Sequence, residues 1–269
     1  MNETFQLHDI QALIIDMDGV LWLDNTPLPG LIPFFDFLDR RSIPFILATN
    51  NASKTPGQYV DKLARFGVTI SPEHVLTSPL ATAAYLKHHY PAGTRVFAVG
   101  QEGILEAMQQ AGFELVYDLS QPAEVVVAGV DFTLTYDKLK YAVLHIHRGA
   151  RFVGTNGDVT FPAQEGPWPG AGSILAAIQA ATGVNPVTIG KPERLMFDIA
   201  VEKMGRDPSQ TAMLGDRLET DILGGQRAGV KTILVTTGID NEASSQLKRI
   251  YPDATFSGLV ELVEQWTKS

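Results

Sequence analysis

Ala12-Leu13-Ile14-Ile15-Asp16-Met17-Asp18-Gly19 is an apolar run that ends abruptly in two acids and a glycine. A short run of this kind, bounded by turn chemistry, reads as a strand buried on both faces. The strand spans Ala12–Asp16, and Gly19 permits a tight turn out of it. Two further runs end the same way. Phe45–Ala48 leads into Thr49-Asn50-Asn51, and Met213-Leu214 leads into Gly215-Asp216-Arg217. In open α/β sheets, ligands bind beyond the carboxyl ends of the strands, so three polar clusters in that position are expected to converge.

The intervening chain alternates strand and helix patterns. Strands are expected at Pro44–Ala48, Arg95–Val99, Glu124–Ala128, Pro186–Ile189, Thr211–Leu214 and Lys231–Val235. Helices are expected at Pro33–Arg41, Pro56–Phe66 and Glu193–Met204, with Gly67 ending the second. This alternation predicts an α/β protein with a Rossmann-like, doubly wound parallel sheet. Asn51 and Lys191 are 140 positions apart, whereas a βαβ step needs about 30 residues. The interval therefore holds an inserted domain, expected at 85–184 between core segments 1–84 and 185–269. Its late stretch Thr160–Gly172, TFPAQEGPWPGAG, reads as a Pro/Gly-rich loop.

Composition narrows the function. The chain has 269 residues, a formal net charge of −9 and no cysteine. Thiolate metal sites and disulfides are excluded, and a reducing cytoplasm is expected. No Lys/Arg run appears, which argues against a nucleic-acid polymer as partner. No stretch approaches the ~20 apolar residues of a membrane span. The leading MNETFQLHDIQ lacks the basic and apolar regions of a signal peptide.

The polar clusters suit one chemistry. Asp16 and Asp18, two apart in an extended segment, would point to the same side, and a cation would relieve their repulsion. Mg²⁺ suits such oxygen donors. Asp216 is placed to complete the site. Asp221 reads either as a helix-cap acid or as support for the metal. Thr49, Asn50 and Asn51 offer donors for phosphate oxygens, or else a capping sequence ahead of Pro56. Lys191 is a lone lysine between a strand and a helix, with Pro192 suited to that helix's first turn. Together these make a set for phosphoryl transfer. A carboxylate attacks phosphorus, cations neutralise charge, and a second carboxylate moves the proton.

The ordered motifs DMDG, TNN, GKP and GDRLETD resemble the four motifs of the haloacid dehalogenase superfamily. With the long insert, the chain resembles its nitrophenylphosphatase-like subfamily IIA, which carries a large α/β cap. The cap segments Thr155-Asn156-Gly157-Asp158 and Pro169–Ser173 match too. By that resemblance Asp16 is the nucleophile and a Mg²⁺ ligand. Asp18 is the general acid/base and binds Mg²⁺ through its backbone carbonyl, and Asp216 is the third protein ligand. Thr49, Asn50, Asn51 and Lys191 hold the phosphate, and Asp221 supports the metal shell. The Thr160–Gly172 loop resembles the part of the cap that reads the substrate. Phe161 stands where pyridoxal-phosphate-specific relatives carry a histidine, which argues against that substrate. Phe161 and Trp168 offer apolar faces for substrate, or else pack against the cap.

The resemblance implies a Mg²⁺-dependent phosphatase for small phosphorylated metabolites, such as sugar phosphates, nucleoside monophosphates or aryl phosphates. A phosphotransferase or mutase shares the acyl phosphate and differs only in the acceptor. A phospho-ligand sensor has no need of Asp16 and Asp18. A homodimer is left open. Gly170-Ala171-Gly172 lacks the full dinucleotide fingerprint. His145 and His147 read as cap core or surface, and His88-His89 as an exposed helix end.

Overall fold

The computed structural model describes residues 6–163 and 165–269. Residues 1–5 of the leading stretch and Gln164 of the Thr160–Gly172 segment lie outside the described residues. The chain forms two compact units. The first comprises Met1–Thr49, Tyr59–Leu76 and Lys191–Ser269, and the second Asn50–Gln58 and Thr77–Gly190.

The first unit is built on a six-stranded sheet. Its order is Ala254–Phe256, Lys231–Val235, Thr211–Gly215, Ala12–Ile15, Phe45–Thr49, Val75–Thr77. Ala12–Ile15 pairs in parallel with both Thr211–Gly215 and Phe45–Thr49. The chain winds to one side of this strand early and to the other side late, so a topological switch point lies at its carboxyl end. All four residues of Ala12–Ile15 are buried, as are all five of Thr211–Gly215. That explains their unbroken apolar character: a strand covered on both faces has no reason to alternate. Leu13, Ile15, Phe34, Leu38, Leu47, Leu214, Ile233 and Leu262 share one apolar core. The helix Leu31–Arg40 contributes through its inward stripe, Leu31, Phe34, Phe35 and Leu38.

The second unit has its own parallel five-stranded sheet. Its order is Val187–Thr188, Arg151–Gly154, Val125–Ala128, Arg95–Val99, Glu114–Val116. The buried Val125–Ala128 is central. A separate core forms around Phe97, Val126, Phe152, Ile174 and Ile178. The helix Ser78–His89 runs through position 85, and Val187–Thr188 extends the sheet beyond 184. His145 is buried, while His147, His88 and His89 are exposed.

Two local expectations change. The loop at Thr160–Gly172 contains a β-hairpin, Thr160–Ala163 against Gly166–Pro169, with Phe161 opposite Trp168. Three prolines hide it in the sequence, because proline cannot donate to a ladder. The helix after Lys191 is Arg194–Met204, with Glu193 at its N-cap. Pro192 therefore precedes the helix rather than opening it. Among the described residues, no helix is long and apolar enough to cross a membrane.

Candidate active site

The site of the first unit lies where three strands of its sheet end. Asp16 follows Ala12–Ile15 directly, and its backbone N–H donates to the Leu214 carbonyl at 2.8 Å. Asp216 follows Thr211–Gly215, and Thr49 closes Phe45–Thr49. Asp221 sits in the single π-helical turn Leu218–Ile222, where its Oδ2 accepts from Arg217 N–H at 3.1 Å. Carboxylate oxygens of Asp16, Asp216 and Asp221 lie within 4.8 Å of one another.

Lys191 reaches into this group from the segment ahead of Arg194–Met204. Its Nζ lies 2.5 Å from Asp16 Oδ1 and 2.7 Å from Asp221 Oδ1, and it donates to the Ala48 carbonyl at 3.1 Å. Its side chain is 3% exposed, so this lysine is buried rather than solvated. Burial disfavours its charge, but the carboxylates of Asp16 and Asp221 outweigh that and raise its pKa.

The acids are strained electrostatically. Burial raises the Asp16 pKa well above the carboxylate range; Lys191 pulls it down, while Asp221 and Asp216 push it further up. Burial and the Asp221 charge push Asp216 up to about 7, against the N–H of Ile239. Three acids, Asp216 and Asp221 buried and Asp16 partly so, against one buried lysine leave excess negative charge. Hard oxygen donors this close suit a divalent cation such as Mg²⁺, which would relieve the repulsion. The donor set therefore fits the metal.

Asp18 behaves differently. The strand stops at Ile15, and Val20 and Leu21 N–H groups turn back onto the Met17 carbonyl. Among the described residues, the close carboxylate cluster comprises Asp16, Asp216 and Asp221 and does not include Asp18. Asp18 is exposed, and its Oδ1 accepts from the indole of the fully buried Trp22 at 2.6 Å. Trp22 stacks on Tyr59 at 6.4 Å between ring centroids, and Lys62 Nζ lies 4.2 Å from the Trp22 ring centroid.

A second support was not anticipated. The segment after Lys231–Val235 wraps Asp216. Ile239 N–H donates to Asp216 Oδ2 at 2.8 Å, and Asp240 N–H to the Asp216 carbonyl at 3.0 Å. Thr237 Oγ1 donates to the Gly19 carbonyl at 2.6 Å. A Cβ at Gly238 would lie 1.9 Å from Asp216 Oδ2, so only glycine allows this approach. These contacts span more than 20 positions, and nothing local in TGID signals them.

Asn50 and Asn51 continue the chain from Thr49 but belong to the second unit. Asn51 Oδ1 accepts from both the N–H and Oγ of Ser53. This is turn chemistry ahead of the helix Pro56–Arg65, whose Gln58 caps the Thr55 N–H. Also within the second unit, Phe161 and Trp168 meet Phe132 in a three-ring cluster, with centroids 5.8–6.2 Å apart. Phe132 and Trp168 are 55% and 42% exposed, so the cluster packs ring on ring and still presents an apolar face. Phe132 was missed because it stands 29 positions before Phe161, outside the aromatic loop.

Comparison with known proteins agrees with this geometry. The family model for haloacid dehalogenase-like hydrolases matches residues 13–114, and a second model of HAD-like hydrolases matches residues 188–262. An acid sugar phosphatase of Staphylococcus aureus is 38% identical over 258 residues, covering 96% of this chain and 98% of that protein. The crystal structure of a 4-nitrophenylphosphatase from Thermotoga maritima is 38% identical with a TM-score of 0.90, covering 96% and 98% of the two chains. A glycerol phosphate phosphatase from Mycobacterium tuberculosis, solved in complex with magnesium, is 30% identical with a TM-score of 0.87 and covers 95% of this chain and 77% of its own. The chain belongs to the haloacid dehalogenase superfamily, among its subfamily IIA phosphatases.

Proposed function

We propose that this chain is a cytoplasmic, Mg²⁺-dependent phosphatase that hydrolyses small phosphomonoesters through an aspartyl phosphate on Asp16. The observation that carries the reading is the meeting of Asp16, Asp216, Asp221 and Lys191 at the switch point of the sheet. Names of relatives support the substrate class: they act on sugar phosphates, nitrophenyl phosphate and glycerol phosphate.

The carboxylates of Asp16 and Asp216 and the main-chain carbonyl of Asp18 would hold Mg²⁺, with Asp221 in support. When bound, Mg²⁺ supplies charge neutralisation to the phosphate and the nucleophile. Asp16 attacks phosphorus, and the bond to the leaving oxygen breaks as Asp18 protonates that oxygen. Asp18, now a carboxylate, takes a proton from water. The water oxygen attacks phosphorus, the Asp16–phosphorus bond breaks, and inorganic phosphate leaves. Lys191, Thr49, Asn50 and Asn51 hold the transferring group. Residues 85–184 would act as a cap, with Phe161 and Trp168 of its hairpin setting specificity.

The test is phosphate release from aryl, sugar and glycerol phosphates, repeated with an added alcohol acceptor. A shared covalent intermediate gives one ratio of transferred to released phosphate for every leaving group. A ratio that changes with the leaving group removes the aspartyl phosphate, and no release from any ester removes the activity.

A further inference from the structure

The turn that follows Thr49 is held by the second unit. Residues Asn50–Gln58 run from the end of Phe45–Thr49 into the first turn of the helix Pro56–Arg65, and they pack within the second unit. The Asn50 carbonyl accepts from Asn156 Nδ2 at 2.7 Å and from Ser78 Oγ at 2.8 Å. Asn50 Nδ2 donates to Asp158 Oδ2 at 3.0 Å. The backbone of the turn is pressed closely as well: a Cβ at Gly103 would lie 2.7 Å from the Lys54 carbonyl oxygen and 2.8 Å from that of Ala52.

The residues that hold Asn50 are themselves fixed. Asp158 N–H donates to Asn156 Oδ1 at 3.0 Å, and Asn156 is buried. The Asp158 carbonyl accepts from Gly172 N–H at 2.8 Å. The Val159 carbonyl accepts from Gly170 N–H at 2.7 Å and Ser173 Oγ at 2.8 Å. A Cβ at Gly172 would lie 2.4 Å from the Gly157 carbonyl oxygen. Thr155–Asp158 and Pro169–Ser173 thus interlock, and the hairpin that carries Phe161 and Trp168 grows out between them.

We infer that Asn156 and Asp158 are positioning residues for the phosphate-binding turn, acting through Asn50, and that the hairpin's base and this turn form one mechanical element. The inference rests on the assignment of Thr49–Asn51 to phosphate binding. Asn50 then works as a tether as much as a donor. A charged acceptor on one side and a clamped carbonyl on the other fix how the 50–54 turn is presented.

The test compares the parent with Asp158→Ala, Asp158→Asn, Asn50→Ala and the double alanine variant, each checked for folding by circular dichroism. Three quantities are read: kcat and KM for an aryl phosphate, the inhibition constant of inorganic phosphate, and amide exchange over residues 50–54. Losing one hydrogen bond to a charged group is expected to raise KM and the phosphate constant together by about tenfold, with kcat less affected. Asp158→Asn, which keeps an acceptor oxygen, recovers part of that. The double variant is no worse than the poorer single variant, and exchange over 50–54 quickens in Asp158→Ala. Phosphate constants within twofold of the parent in Asp158→Ala, or multiplying losses in the double variant, overturn the inference. A parent without phosphatase activity removes the proposed function instead. Exchange then still decides the tether, which fails if residues 50–54 are equally protected with and without Asp158.

Discussion

The indole of Trp22 donates to Asp18 Oδ1 at 2.6 Å from a fully buried position. This bond joins the apolar core to an exposed acid four residues away. It gives a flexible carboxylate one preferred rotamer, which is what a proton donor to a leaving group needs. Trp22→Phe keeps most of the packing against Tyr59 and Phe66 but removes the donor. The expected result is a loss of about tenfold for an alkyl phosphate, whose leaving oxygen needs the proton. A nitrophenyl phosphate should change little. Equal losses on both esters would separate Trp22 from proton transfer.

The carboxylate cluster predicts metal dependence. EDTA should abolish phosphate release and Mg²⁺ restore it. Ca²⁺ should not, because its longer bonds and larger coordination number misplace the nucleophile. Asp16→Asn should abolish turnover in a folded protein, since the amide is a poor nucleophile and a poor ligand. Activity in metal-free buffer, after residual metal is assayed, counts against the site; so does Asp16→Asn within tenfold of the parent.

Much of this site is legible in the sequence, for a physical reason. Ala12–Ile15, Phe45–Thr49 and Thr211–Gly215 are buried on both faces, so each reads as an apolar run, and the polar residue ending it is conspicuous. What supports the site is not legible. Trp22 looks like any core aromatic in GVLW, and its indole matters only because the chain turns back at Met17. Ile239 and Asp240 reach Asp216 across the sheet, through contacts no local pattern encodes. The strands Val75–Thr77 and Ala254–Phe256 have three residues each, too few for a period.

Gly238 gives a test of that hidden support. An added Cβ there would lie 1.9 Å from Asp216 Oδ2, so it must displace the carboxylate. Gly238→Ala should therefore raise the Mg²⁺ concentration needed for half-maximal activity by about tenfold, the effect typical of disturbing a ligand's outer contacts. KM for ester at saturating Mg²⁺ should move less. Titrating activity with Mg²⁺ at fixed ester reads the difference, and an unchanged half-saturation would mean that Asp216 tolerates the shift.

His145 makes the second unit sensitive to acid. The ring is buried, Nδ1 accepts from Ala123 N–H at 3.2 Å, and Nε2 faces the Asp118 carbonyl at 3.1 Å. Nδ1 must stay unprotonated to accept. Burial lowers its pKa, against the Asp118 carbonyl that favours the charged ring. The unfolded chain, with an ordinary histidine near 6.5, then binds more protons than the folded one once pH falls below that value. Stability decreases as pH falls from about 6.5 towards the depressed folded pKa, and levels off beneath it. Melting temperatures of parent and His145→Gln from pH 7.5 to 5 check this. The parent should fall more steeply below about 6.5, and parallel curves would show that His145 is not the responsible group.

Phe132, Phe161 and Trp168 form a three-ring cluster in the second unit. Each ring meets the other two edge-on or nearly so, with interplanar angles of 63–76°. Such pairs contribute roughly 0.5–1.5 kcal/mol beyond area burial, so removing one ring loosens the other two without collapsing the unit's core, which lies around Phe97, Val126 and Phe152. If the cap's hairpin reads the leaving group, the exposed faces of Phe132 and Trp168 favour flat or apolar groups over strongly hydrated ones. Phe132→Ala and Trp168→Ala should each reduce kcat/KM for an aryl phosphate more than for glycerol phosphate, because only the aryl group can exchange water for ring contact. Phe161→His is the complementary change: it puts a polar, ionisable ring into the aromatic face, and, if the resemblance drawn from the sequence holds, it should raise the relative rate on pyridoxal phosphate. The three variants need separate measurement on all three esters, with thermal melting to confirm folding. A uniform fall across the esters in every folded variant would mean that the aromatic cluster stiffens the hairpin and does not read substrate.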